Sequence, residues 1–200
     1  MLNRSHVQHQ NRGFTLIEVL IAIAIIAVLS TITYASFTTS REIARDNTRK
    51  TDLKNLQVAI ELYKAQYGRY PDGCNGSGAW SGQDSASYIC PTPLNSVIPN
   101  CNGYICGLVP DFIAKLPADP DPGRSASAGY IYTTTGGNGS ATQYKLMAYA
   151  SVEHARIKSY DDAFARCPVG TGSASCPSGI GAVPQSTTYA VYRGAAAKNW

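Results

Sequence analysis

Proline is absent from the first 70 residues, and glycine is absent between Gly13 and Gly68. These two residue types most often interrupt helices, so their absence excludes a series of short elements and favours one long helix. Later apolar positions recur at steps of three and four, as on one helical face: Leu53, Leu56, Ile60, Tyr63 and Tyr67. The sequence therefore predicts a helix from Phe14 to about Tyr67, which Gly68 and Pro71 end.

Cysteine is also absent from this N-terminal part, because all six cysteines follow residue 70. No two of them are separated by only two residues, so the paired-cysteine motif of common zinc sites is missing. An even number of cysteines among glycine, serine and proline residues favours disulfide bonds in an exported protein. Sequence alone leaves their connectivity open, and the simplest pairing joins neighbours: Cys74 with Cys90, Cys101 with Cys106, and Cys167 with Cys176.

Residues that carry catalysis or bind metals are scarce. The chain has three histidines, and two of them, His6 and His9, lie in the polar N-terminal stretch. No G-x-S-x-G motif and no cysteine–histidine constellation is present, so nothing indicates an enzyme or a resident cofactor. Asp119 and Asp121 are candidate oxygen ligands for a calcium ion, with ordinary turn chemistry as the alternative.

Positive charge is not concentrated in one patch. The formal net charge of +4 is spread along the chain, which argues against a nucleic-acid partner. One basic cluster within residues 41–54 is interleaved with acidic residues, and at helical spacing this pattern predicts a solvent-exposed face with ion pairs. The expected pairs are Glu42 with Arg45 and Asp46 with Lys50.

The first half of the predicted helix is apolar on all sides. The run from Phe14 to about Phe37 has roughly the ~20 residues that span a bilayer. Glu18 is the only charged residue between Phe14 and Leu29, and a carboxylate at membrane depth costs at least about 2.5–3.5 kcal/mol unless it is compensated. An ordinary signal peptide cut after Ala35 is the competing interpretation, but the helical pattern continues past that point without a break.

Three stretches carry a family resemblance. RGFTLIE, residues 12–18, resembles the prepilin signature of type IV pilins and type II secretion pseudopilins. LKNLQVAIELYKAQYGRYP, residues 53–71, is similar to the end of the pilin helix. LPADP, residues 116–120, is similar to a motif of the major pseudopilins of type II secretion. The resemblance covers residues 12–71 best, is weaker over 111–150, and does not extend to the segments that carry the cysteines.

The resemblance implies a set of site residues. A membrane prepilin peptidase would cut after Gly13, and Phe14 would become the N-methylated new N-terminus. Glu18 would neutralise the Phe14 amine of a neighbouring subunit and so set the register of a filament. The implied parts are a leader at 1–13, a transmembrane and filament-core helix at 14–37, an amphipathic half at 38–70 and a globular head at 71–200.

The head is expected to make the fold α+β, with a small antiparallel sheet packed on the amphipathic half of the helix. Strand-like runs at 130–135 and 142–150 flank GGNGSA and predict a hairpin, and 187–193 predicts a further strand. The tyrosines of these strands are expected to pack on the sheet. A short helix is expected around Val109–Leu116.

The resemblance implies a filament subunit precursor, not an enzyme. It would reside in the inner membrane as a single-pass protein with its head outside the cytoplasm. An assembly platform and minor pilins would then help it to polymerise into a helical surface or periplasmic filament. The alternative is a type II secretion pseudopilin, and a less favoured interpretation is an exported soluble binding module.

Overall fold

The computed structural model describes residues 13–82, 88–93, 98–99, 101–121, 125, 128–135, 141–154, 163–165 and 187–194, with the backbone alone at 32–33 and 35–36. The chain divides into two compact units, Met1–Ser40 and Arg41–Trp200. The N-terminal unit contributes the first part of a helix. The C-terminal unit contains the rest of that helix and a sheet.

Helix α1 runs from Leu16 to Tyr67 and contains 52 residues. It ends at Gly68, whose φ of 75° lies in the left-handed region that glycine adopts without strain. The Gly68 N–H donates a 2.8 Å hydrogen bond to the carbonyl oxygen of Lys64, which satisfies one of the last carbonyls of the helix. The prediction of one long helix is therefore confirmed.

Four antiparallel strands form one sheet in the order β1-β2-β3-β4. The strands are β1 (Ser81–Gly82), β2 (Gly129–Thr135), β3 (Gln143–Tyr149) and β4 (Tyr189–Arg193). The hairpin β2–β3 and the strand β4 confirm the sequence prediction. The two-residue strand β1 was not predicted, because two residues are too few to show an alternating pattern.

One face of the sheet packs on the later part of α1. The register places Tyr132 opposite Leu146 and Leu146 opposite Val191, so these side chains share a face. They form one buried cluster with helix residues that include Leu56 and Ile60. The sheet tyrosines on this face, Tyr130, Tyr132, Tyr144 and Tyr189, are almost fully buried. The α+β architecture and the packing role of these tyrosines are confirmed.

The opposite face of the sheet is buried as well. Ile131, Met147, Tyr149 and Ala190 form a second cluster, against which Trp80 and Tyr88 pack. The Tyr88 and Tyr149 rings meet edge to face with their centroids 6.0 Å apart. The C-terminal unit therefore has three layers within its described residues: helix, sheet, and the segment that carries these two aromatic residues.

The expected short helix at Val109–Leu116 is wrong. The N–H groups of Phe112 and Ile113 both donate to the carbonyl oxygen of Leu108, at 3.0 and 3.2 Å, and the chain makes turns there. Pro110 has no N–H group to continue a helical hydrogen-bond series. Phe112 packs instead against Tyr63, with ring centroids 5.4 Å apart, so the segment contacts α1.

Candidate functional site

The junction between the polar N-terminal stretch and the apolar helix lies at residues 13–15, which precede α1 and are exposed. The side chain of Phe14 is 89% exposed. A Cβ atom placed on Gly13 would meet no other atom within 4 Å, so the fold leaves room for a larger residue. The described part of the chain therefore does not itself require glycine at position 13.

Glu18 has a partner within its own chain. The Thr15 N–H donates a 2.8 Å hydrogen bond to Oε2 of Glu18, and the Thr15 hydroxyl donates a 2.7 Å bond to the same oxygen. In return, the Glu18 N–H donates to Oγ1 of Thr15 at 3.3 Å. This reciprocal arrangement is a capping box, which satisfies N–H groups that the first turn of a helix leaves without partners.

The sequence contains a local signal for this cap. Residues 15–18 read T-L-I-E, which matches the S/T-x-x-E pattern that starts many helices before an apolar run. The carboxylate also lies in the first turn of α1, where the helix dipole favours negative charge. Glu18 is thus locally stabilised even in an isolated chain.

The apolar side chains that follow this cap are not covered within the N-terminal unit. Every large apolar side chain from Phe14 to Leu29 is more than half exposed: Phe14, Leu16, Ile17, Val19, Leu20, Ile21, Ile23, Ile25, Ile26, Val28 and Leu29. A continuous exposed apolar surface of this kind marks a site of contact with protein or lipid.

Among the residues whose side chains the structure describes, no helix has both the length and the apolarity needed to cross a membrane.

Two of the three expected disulfide bonds lie within the described residues and are formed. Cys74 is bonded to Cys90 and Cys101 to Cys106, with sequence separations of 16 and 5 residues. Cys90 is partly exposed, whereas the other three cysteines are buried. Cys167 and Cys176, the third expected pair, lie outside the described residues.

A buried arginine joins three segments of the C-terminal unit. Arg49 of α1 is fully buried. Its Nε and Nη2 atoms donate to Oδ2 and Oδ1 of Asp119 at 3.0 and 2.7 Å, which is a two-pronged, charge-assisted pair. Its Nη1 atom donates to Asp46 at 2.8 Å and to Glu153 at 2.7 Å. Burial alone would lower the pKa of Arg49, but hydrogen bonds to Asp119 and Glu153 raise it above its ordinary value.

Arg45 also belongs to this group of charged side chains. We call the whole group the Arg49 cluster, and its five members are Arg45, Asp46, Arg49, Asp119 and Glu153. The Arg45 guanidinium donates to both carboxylate oxygens of Glu153, from Nε at 2.8 Å and from Nη2. Hydrogen bonding from Arg45 lowers the pKa of Glu153 to about 2, and Arg49 makes a smaller contribution in the same direction. Burial acts against both effects. The Asp46 carboxylate accepts backbone N–H groups of Glu153 and His154.

The interpretation of residues 41–54 as a solvent-exposed charged face is therefore wrong for its central residues. Asp46 and Arg49 are fully buried. The partners that bury them, Asp119 and Glu153, are 70 and 104 positions from Arg49 in the chain. No helical spacing rule connects such distant residues, so no local pattern indicates the cluster.

The calcium candidates belong to this cluster or adjoin it. Both carboxylate oxygens of Asp119 accept hydrogen bonds from Arg49. The Asp121 N–H donates a 2.9 Å bond to Oδ1 of Asp119, which forms a local turn. Within the described residues, no group of three or more His, Cys, Asp or Glu side chains is arranged to hold a metal ion. Arg49 thus supplies the positive charge beside Asp119.

The chain is similar to one family model and to several known proteins. The family model of the prokaryotic N-terminal methylation motif matches residues 8–34. Type IV major pilin protein PilA of Myxococcus xanthus is 36% identical over 74 residues, which cover 37% of this chain and 34% of that protein. Type II secretion system core protein G of Klebsiella pneumoniae is 30% identical over 111 residues, which cover 56% of this chain and 69% of that protein.

Competence protein ComGC of Halalkalibacterium halodurans is 33% identical over 63 residues, or 32% of this chain and 62% of that protein. The chain thus spans about a third of the length of the pilin and about two thirds of the length of the other two proteins. No solved structure matches the chain.

Proposed function

Because the chain belongs to the family of type IV pilins and type II secretion pseudopilins, we propose that it is the precursor of a type IV pilus subunit. The subunit packs its apolar helix against copies of itself, and it has a structural role and no enzymatic one. The observation that carries this proposal is the uncovered apolar surface from Phe14 to Leu29, where each large side chain is more than half exposed. Burial of about 25 cal/mol per Å² of such surface favours assembly.

Processing precedes assembly in this proposal. A membrane prepilin peptidase removes residues 1–13 by cutting between Gly13 and Phe14, and the new N-terminal amine of Phe14 is methylated. The exposed position of this bond ahead of α1 supports the assignment. The open space around Gly13 supports it too, because the requirement for glycine then lies in the approach of the protease to the backbone.

Glu18 then sets the register between subunits. The Phe14 amine of a neighbouring subunit is a cation at the end of an apolar helix, and the Glu18 carboxylate neutralises it. Thr15 donates both of its hydrogen bonds to Oε2 of Glu18. The Phe14 amine of the neighbouring subunit then binds the same carboxylate through Oε1. Removing one partner of a buried ion pair costs about 3–5 kcal/mol, so a shifted register that separates these two groups is disfavoured.

Before assembly, the chain is held in the inner membrane through residues 14–37, with its head outside the cytoplasm. The two disulfide bonds of the head support this orientation, since such bonds persist in oxidising compartments. In the same scheme residues 38–70 are the amphipathic half of the helix and 71–200 the head. An inner-membrane assembly platform and minor pilins are the expected partners, together with the lipid bilayer.

A type II secretion pseudopilin is the second candidate. The LPADP stretch at 116–120 favours it, and so does the similarity to type II secretion system core protein G. In this alternative the filament is periplasmic. Deleting the gene for the chain would then abolish protein secretion and leave surface filaments unchanged.

Electron microscopy of filaments sheared from producing cells tests the proposal, with the subunit identified by its peptides. We expect the chain in surface filaments, and we expect Gly13→Leu to accumulate with its leader attached and to give no filaments. Asn11→Leu is the matched control in the leader and should give normal filaments. Normal filaments from Gly13→Leu, or a soluble product that begins at Ser36, would contradict the proposal.

A further inference from the structure

Two zones of different chemistry attach α1 to the rest of the C-terminal unit. From Leu53 onward the helix presents buried apolar residues to the sheet, such as Leu56 and Ile60. Between residues 41 and 50, by contrast, the only buried side chains are Asp46 and Arg49. This earlier part of the helix therefore has no buried apolar side chain that holds it in place.

Ion pairs and charge-assisted hydrogen bonds connect residues 42–49 to the rest of the unit, and the Lys50 ammonium lies 4.7 Å from the centroid of the Tyr189 ring. Arg45 and Arg49 both bind Glu153, Arg49 binds Asp119, and Asp46 accepts the N–H groups of residues 153 and 154. His154 and Glu42 lie at the edge of this zone, with 3.9 Å between Nδ1 and Oε2. All of these ion pairs and hydrogen bonds involve two short segments, residues 119–121 and 151–154.

Arg49 is the residue on which the balance of charge depends. It contacts all three carboxylates of the cluster, from Asp46, Asp119 and Glu153, at 2.7–3.0 Å. Without the guanidinium, these three negative charges would face one another in a site shielded from water, where repulsion is strong. Separation of the segments would let water reach the carboxylates and relieve that repulsion.

We propose that the Arg49 cluster acts as a latch. Its ion pairs hold residues 42–49 of α1 against the rest of the C-terminal unit, and when these pairs break, residues 42–49 detach together. The apolar zone from Leu53 to Tyr63 keeps the rest of the helix on the sheet in the open state. Proteins open in such partial units where few apolar contacts hold a segment. The latch gives the subunit a stretch of helix that can separate while the sheet stays folded.

Amide hydrogen exchange of the full chain in detergent micelles tests the latch. We expect Arg49→Met to speed exchange at residues 42–50 by at least about tenfold and to change exchange at 53–63 by less than about twofold. Arg41→Met is the matched control, since Arg41 is an exposed arginine on the same helix. It should leave exchange in both zones unchanged.

Arg49→Lys keeps the positive charge and loses the two-pronged contact with Asp119. It should speed exchange at 42–50 less than Arg49→Met does, and it decides the outcome if Arg49→Met does not fold. Equally faster amide exchange at 42–50 and 53–63 would show that the cluster stabilises the whole unit. Unchanged exchange at 42–50 would show that the cluster does not hold this part of the helix. Either result would overturn the latch.

Discussion

The hydroxyl group of Tyr130 on β2 donates a 2.7 Å hydrogen bond to Oδ2 of Asp52 on α1, across 78 positions of sequence. Burial raises the pKa of Asp52 above its ordinary value, and the bond from Tyr130 partly offsets this rise. The pKa of Tyr130 is raised as well, first by burial and then by the neighbouring carboxylate. The pair therefore links helix and sheet through a hydrogen bond from Tyr130 to the Asp52 carboxylate.

Tyr130→Phe should lower the free energy of unfolding by about 1–3 kcal/mol at pH 7, because a partly buried charged acceptor loses its hydrogen-bond donor. The destabilisation caused by Tyr130→Phe should become smaller as the pH falls, since a protonated Asp52 has no negative charge that needs the Tyr130 hydrogen bond. Urea unfolding at several pH values measures both effects. Tyr67→Phe, at a 51% exposed tyrosine of α1, is the control and should change stability by less than about 0.5 kcal/mol.

Glu153 should also contribute stability that is lost as the pH falls, because its pKa is lower in the folded state than in the unfolded chain. Its pKa is lowered from 4.5 to about 2 by hydrogen bonds from Arg45 and Arg49. The folded state therefore binds this proton less readily than the unfolded chain does. The group adds stability above about pH 4.5, and this contribution disappears as the pH falls toward 2.

Glu153→Gln should consequently lower the free energy of unfolding by about 1–3 kcal/mol at pH 7. The curves of wild type and variant should converge as the pH falls toward about 2. A difference that stays constant between pH 7 and pH 2 would show that Glu153 contributes through packing and not through its charge. Thermal unfolding over this pH range provides the measurement.

The two disulfide bonds should differ in their contribution to stability. Replacing Cys74 and Cys90 by serine opens a loop of 16 residues, whereas the Cys101–Cys106 bond closes a loop of 5. In the chain-entropy description the longer loop stabilises by about 1 kcal/mol more, within a total of about 2–5 kcal/mol per bond. Urea unfolding of the two double variants compares them directly, and an equal loss would contradict this order.

Thr15 and Glu18 allow helix capping to be separated from contact between subunits. Glu18→Gln keeps an oxygen that accepts the Thr15 N–H but removes the charge that pairs with the Phe14 amine. It should abolish filaments, as should Glu18→Ala and Glu18→Leu, while all three still enter the membrane. Thr15→Ala costs about 1 kcal/mol of capping but keeps the carboxylate, so it should still assemble.

Quantifying filaments and membrane-bound subunit for these four variants decides between the two roles of Glu18. If Thr15→Ala fails as completely as Glu18→Gln, capping is the essential role and registration is not. Normal yield from the Glu18 variants would refute registration outright.

Features encoded in consecutive residues were predictable from the sequence. The bounds of α1 follow from the absence of Pro and Gly within it. They follow also from the apolar residues between Leu53 and Tyr67, which recur at intervals of three and four positions. The hairpin β2–β3 follows from two alternating runs around a glycine-rich turn. The buried face of α1 was predicted for the same reason, because its spacing is local.

Features that depend on distant residues were not predictable. Arg49 was expected in solvent because nothing near it in sequence shows that Asp119 and Glu153 enclose it. The cover of the outer sheet face by Trp80 and Tyr88 depends likewise on how a long connection folds back. The short helix expected at Val109–Leu116 is replaced by turns, where Pro110 has no N–H group to donate and Phe112 packs on the distant Tyr63.

The N-terminal mass of the subunit recovered from filaments is the measurement that tests the central claim most directly. Fragmentation mass spectrometry should show a chain that begins at Phe14, carries one methyl group on its amine and lacks residues 1–13. A subunit that retains residues 1–13 within assembled filaments, or one that begins at Ser36 and is found free in solution, would contradict the account.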